Sequence, residues 1–102
     1  MSIFAPFAPA YTSGQSEAVT GTAGDITGLP AQSKSLCLTN IGTQTVYVRV
    51  TDGADTAVAT AADYPVPPNT QVIISKGDQT RISHVAPGGA GSTLHVIAGE
   101  GL

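Results

Sequence analysis

Residues 45–50 read TVYVRV. Val46, Val48 and Val50 alternate with Tyr47, Arg49 and Thr51. A period of two puts three β-branched apolar side chains on one face and polar or amphipathic ones on the other, as a strand with one buried face requires. A helix would scatter the same valines around its circumference. Just upstream, residues 35–40 read SLCLTN and repeat the pattern, with Leu36, Leu38 and Asn40 on one face and Cys37 and Thr39 on the other. The link IGTQ, residues 41–44, contains Gly42, which is free to take a positive φ. Two strands and a short glycine-bearing link predict a hairpin. Downstream, Asp52-Gly53 is a turn signal that ends the second strand.

The same reading extends outward. TQVIIS at 70–75 predicts a strand, turned by KGDQ at 76–79. TRISHVA at 80–86 and STLHVIAG at 92–99 flank PGGAG and predict a second hairpin. SEAVTG at 16–21 predicts a short first strand, and TAGDITGLPAQSK at 22–34 reads as loop. Pro65, Pro67 and Pro68 cannot donate to a ladder, so their segment is confined to an edge strand or a crossing loop. No segment keeps a helical period beyond two turns. About seven short strands with turns every 8–12 residues predict an all-β fold: a single small antiparallel β-sandwich of jelly-roll-like form. Its expected core is Leu36, Leu38, Val46, Val48, Val50, Val72, Ile74, Leu94 and Val96. Strand order is not encoded in this pattern.

A chain of 102 residues is one domain by length. It buries roughly 60–65% of its unfolded surface, enough for one modest core but not for a deep, enclosed active site as well. Charged residues are 11% of the chain, against about 25% in an ordinary soluble domain. Ala, Gly, Ser and Thr make 47 of the 102 residues. So little charge is unusual for a free cytosolic monomer. The net charge is −3, and the only cations, Lys34, Arg49, Lys76 and Arg81, form no run. A phosphate backbone needs clustered cations, so nucleic acid is not an expected partner. The single cysteine, Cys37, excludes an intrachain disulfide. The first residues carry no basic stretch, and Pro6 and Pro9 interrupt any apolar run, so no secretory signal is expected. No apolar stretch approaches the ~20 residues of a membrane helix, so no membrane partner is expected.

If 80–86 and 92–99 pair about Gly89, His84 and His95 fall on opposite faces, and no third ligand has a recognised metal spacing. Ser83 and His84 are adjacent, hence on opposite faces of a strand, and no nucleophile elbow occurs. Asp52, Asp55 and Asp63 offer oxygens for calcium, but their spacing is not that of an EF-hand loop. Cys37 sits between two leucines and reads as a small hydrophobe. The glycines of APGGAGS precede a strand, whereas a phosphate loop delivers its amides at a helix N-terminus. Sugar sites stack on exposed aromatics; the chain has no Trp, and beyond residue 11 only Tyr47 and Tyr64. The expectation is therefore a protein that is not an enzyme and has no cofactor, catalytic residue or metal site.

The N-terminus reads MSIFAPFAPAY. Phe4, Phe7 and Tyr11 are three of the five aromatics, and Pro6 and Pro9 deny the segment a helix. Polyproline geometry has three residues per turn, so the Phe-Ala-Pro repeat aligns Phe4 with Phe7. Residues 1–15 thus read as an extended arm and 16–102 as the β-domain. Two placements are open: the arm folds back to cover a sandwich edge, or it reaches a neighbouring subunit. On the second, Phe4, Pro6, Phe7, Pro9 and Tyr11 are the partner-binding residues.

Residues 34–102 also resemble small structural proteins of tailed bacteriophages. The resemblance lies in LCLTNIGTQTVYVRV, in YPVPPNTQVIISKG and in the closing TRISHVA and STLHVIAGEGL. Asn40 and Gly42 match an Asn-x-Gly turn, Val46 to Val48 a Val-Tyr-Val strand, Pro65 to Pro68 a proline-rich middle, and Gly99 to Gly101 a Gly-Glu-Gly close. The family resembled is that of virion cement or decoration proteins, compact β-domains on the outside of a capsid. The resemblance implies location on the capsid exterior, with the major capsid protein and further copies of the chain as partners. A tail, neck or fibre module that recognises a host glycan or another virion protein is the alternative.

Overall fold

The computed structural model describes residues 7–54 and 56–101. These form nine strands: β1 (Ala8–Pro9), β2 (Gln15–Val19), β3 (Gly24–Ile26), β4 (Ser35–Gly42), β5 (Val46–Thr51), β6 (Tyr64–Val66), β7 (Thr70–Ser75), β8 (Arg81–Val85) and β9 (Ser92–Glu100). All pairings are antiparallel. Sheet I runs β2-β9-β4-β7, with β1 also paired to β9, and sheet II runs β3-β8-β5-β6. The pairs β2–β9, β3–β8, β4–β7 and β5–β6 nest inside one another. They are one long hairpin whose tip is residues 52–63. Rolling it up adds the pairs β4–β9 and β5–β8. This is a jelly roll, so the expected fold class holds.

Both expected local hairpins are corrected. β4 and β5 lie in different sheets, and so do β8 and β9. Their links cross the same end of the sandwich and bond to each other. Thr43 N donates to Gly91 O at 3.2 Å, and Gln44 N to Ser92 Oγ at 2.9 Å. Gly42 has φ +145°, and any Cβ there would collide with the Gly91 carbonyl and Ser92. Glycine thus turns the chain out of sheet I where a hairpin would have kept it in. The segment read as loop at 22–34 also contains β3, whose three residues pair Ile26 with Ile82. The proline-rich segment falls as expected: β6 is an edge strand, with Pro65 opposite Tyr47.

The expected core residues meet between the sheets. Leu36, Leu38, Leu94 and Val96 of sheet I pack with Val46, Val48, Val66 and Ile82 of sheet II, and Val50, Val72 and Ile74 pack against them. Each fully buried large apolar side chain contributes about 1.5–3 kcal/mol. Asn40 also points inward and is fully buried. Its Nδ2 donates to Gln44 O at 2.8 Å and to Val66 O at 2.9 Å, tying sheet I to sheet II.

Candidate binding surfaces

The reactive residues are not assembled. His84, inward on β8, is almost fully buried, and its Nε2 lies 3.0 Å from Glu17 Oε1 on β2. Its Nδ1 has no hydrogen-bond partner among the described residues. His95 belongs to sheet I and lies opposite Thr39 and Ser16. The two histidines therefore occupy different sheets rather than opposite faces of one hairpin. Ser83 points away from His84: its hydroxyl donates to Gly24 O at 3.1 Å and accepts from Ala59 N at 2.9 Å. Asp52 accepts from Ala54 N at 3.3 Å, while Asp63 Oδ1 accepts from Arg49 Nε at 3.1 Å. Asp55 lies outside the described residues. No group of three or more His, Cys, Asp or Glu among the described residues could hold a metal ion.

All four cations are engaged within the chain. Arg49 pairs with Asp63, Arg81 with Asp25, and Lys34 with Asp78. Lys76 is buried and donates from Nζ to the Gln79 carbonyl at 2.8 Å and the Gly77 carbonyl at 3.2 Å. Burial, with Lys34 nearby, pushes its ammonium below the usual lysine range.

The arm is divided. Phe4 and Pro6 lie outside the described residues. From Phe7 onward it joins the domain: Ala8 and Pro9 pair with Glu100 and Gly99, and Ala10 N donates to Ala98 O at 2.7 Å. A Cβ on Gly99 would stand 2.6 Å from the Phe7 ring, so glycine is what lets Phe7 lie over β9. Residues 7–9 thus adopt the fold-back placement. A turn then bulges out, closed by Ser13 N to Ala10 O at 3.1 Å, with Thr12 at φ +69°. Tyr11 at its tip is 80% exposed. β2 resumes the same edge.

The two outer faces differ in kind. On sheet II the face carries Arg49, Thr51, Arg81, Ser83 and Asp25, and the chain covers it with its own residues 57–63. Arg81 Nη1 donates to Ala57 O at 2.7 Å and to Thr51 Oγ1 at 2.9 Å, and Nε to Asp25 Oδ2 at 2.9 Å. Ser83 receives Ala59, and Arg49 receives Asp63. The Thr60 amide, bonded to Asp63, and then Arg49 hold that carboxyl below the usual carboxylate range.

On sheet I, directly opposite residues form rows on one face: Ile97, Cys37 and Ile73; then Ser16, His95, Thr39 and Gln71; then Ala18, Thr93 and Ile41. Pro9 and Gly99 begin the next row, beside Phe7. No Asp, Glu, Lys or Arg stands on this face among the described residues. Ile41 is 58% exposed and Ile73 37%. Cys37 is buried, which pushes its thiol up. This face was missed in the sequence. Its signal was there: Ile73 within VII and Ile97 within VI break the alternation that marks the core.

No family model matches the chain, and no curated protein matches it. Solved structures do match. A subunit of the Bacillus endospore appendages, described as a novel family of disulfide-linked pili, is 12% identical with TM-score 0.53, over 85% of this chain and 83% of that one. A de novo designed double-stranded β-helix is 9% identical with TM-score 0.52, over 85% and 99%. A protein named PirA is 11% identical with TM-score 0.50, over 84% and 93%. At such low identity these likenesses speak to fold: the chain is a double-stranded β-helix of the jelly-roll kind.

Proposed function

We propose that this protein is a structural subunit that attaches to the outside of a bacteriophage capsid and stabilises it, contacting the major capsid protein and further copies of itself. The observation that carries the reading is the outer face of sheet I, which holds no Asp, Glu, Lys or Arg among the described residues, with the arm entering at its edge. Such a face can be covered by a partner without desolvating ions. The resemblance of residues 34–102 to cement and decoration proteins supplies the capsid. The fold likeness to a pilus subunit is consistent with assembly as a role. That subunit forms disulfide-linked pili; here the single cysteine is buried, so this reading assigns no disulfide to the contacts. The reading assigns no catalytic residue and no cofactor. Phe4 and Pro6, with the exposed Tyr11, are the arm residues assigned to the partner, since Phe7 and Pro9 are already engaged by β9.

The test is co-sedimentation with capsids that lack the protein. Binding should saturate at a stoichiometry set by the lattice and raise the particles' resistance to heat or chelator. Removing residues 1–6, which spares β1, should weaken binding while leaving the free protein's melting temperature unchanged. Binding to tail structures or host glycans, with bare capsids untouched, would replace this reading by the fibre alternative.

A further inference from the structure

We infer that the outer face of sheet I is where two copies of this chain meet, face to face. The inference deepens the assembly reading, since it names the surface through which copies associate. Three observations carry it. First, the face holds no Asp, Glu, Lys or Arg among the described residues, so its partner must also present no unpaired charge, or burial would strand an ion. The same face on a second copy meets that condition, and a two-fold axis brings any patch against itself.

Second, the polar groups there come from Ser, Thr, Gln and one His, and one pair is already satisfied: Gln71 Nε2 donates to Thr39 Oγ1 at 3.0 Å. Charge gathers at one end instead, where Lys34 pairs with Asp78 and its amide donates to Glu100 Oε2 at 3.1 Å. Ile73 and Ile97 on one side of the row of His95, Thr39 and Gln71, and Ile41 on the other, make a mixed patch whose middle holds no Asp, Glu, Lys or Arg among the described residues, and depletion of such residues at the centre is a mark of association surfaces. Third, the area suffices. Four strands about 4.8 Å apart and roughly 25 Å long give each copy about 500 Å² in projection, and two copies about 1,000 Å², the threshold for specific contact. Contact at this low end of the size range makes a weak, transient dimer, to be sought at roughly tens to hundreds of micromolar protein.

The test uses the free, full chain, so its result is independent of capsid binding. Sedimentation equilibrium across that concentration range should show monomer and dimer in exchange. Ile73→Lys and, separately, Ile41→Lys should each weaken association roughly tenfold or more, because each buries a lone ammonium. Both sites are exposed, so the fold is retained. Val58→Lys, at an exposed position outside sheet I, should change nothing. In the unaltered chain, amide shifts that move with concentration should map to β4, β7 and β9. A monomer throughout the range overturns the inference. So does a dimer that both lysine variants leave intact, or concentration-dependent shifts confined to residues 57–66. Loss of capsid binding with self-association preserved would count against the capsid reading alone.

Discussion

The outer faces of the two sheets are built from the same alternation, yet the chain treats them oppositely. Over sheet II it lays its own residues 57–63, pinned by Arg81, Ser83 and Arg49. Over sheet I the described residues lay Phe7 and Pro9 at one edge. The difference follows from side chains. Sheet II presents a guanidinium and a hydroxyl that need partners, and a strap of backbone carbonyls and amides supplies them. Sheet I presents isoleucines and short polar groups, with Gln71 already bonded to Thr39, so no strap of the chain's own backbone is needed to satisfy them. Polar anchors therefore mark the face that the described residues close for themselves, and rows without such anchors mark the one they leave more open.

The largest effect that could break this contrast lies under the strap. Arg81→Ala removes three hydrogen bonds made by a buried cation. It should destabilise by about 2–4 kcal/mol in a denaturant titration. A loss no greater than that of an exposed substitution would mean the strap is not held by Arg81. Next comes the core that both faces share. Val48→Ala should cost about 1–3 kcal/mol through lost burial and a residual cavity. A far-UV spectrum dominated by helix would remove the whole basis of the comparison.

Acid sharpens it further. The Asp63 carboxyl is held below its ordinary value by the Thr60 amide and Arg49. A depressed folded-state pKa contributes stability that is present above the unfolded-state value and is lost as pH falls through the folded one. Amide exchange in residues 57–63 should therefore accelerate below about pH 4, while β4 and β9 keep their protection. Asp63→Asn should abolish that selective response. Equal acceleration in both sheets would show that the carboxylate does not hold the strap. The smallest effect belongs to the bare face: Ile41→Thr should change the dilute protein's stability by no more than about 0.5 kcal/mol. A large loss of melting temperature there would mean that Ile41 serves its own domain.

Much of the fold was legible in the sequence because alternation is a local property. The stripes Leu36-Leu38 and Val46-Val48-Val50 named the core correctly. The pairing they implied was wrong for a specific reason. In a hairpin the two stripes lie side by side in one sheet; in the sandwich they face each other across the interior. Both arrangements bury the same atoms, so the pattern does not distinguish them. β3 escaped notice because three residues carry too little period to read. His84 and His95 were read as members of one hairpin and belong to different sheets, an error inherited from that pairing.

The sequence by itself determined the class of fold, the inward residues, the edge position imposed by Pro65 and the scarcity of charge. Each follows from local chemistry: side-chain alternation, a missing amide proton, a residue count. Only the tertiary structure decided that Gly42 and Gly91 carry the chain from sheet to sheet, that Asn40 ties the sheets together, that Arg81 binds a strap and that Ile41, Ile73 and Ile97 share one uncharged face. Those are relations between residues distant in sequence. They are fixed by the way the rolled hairpin closes, which strand-by-strand periodicity cannot specify.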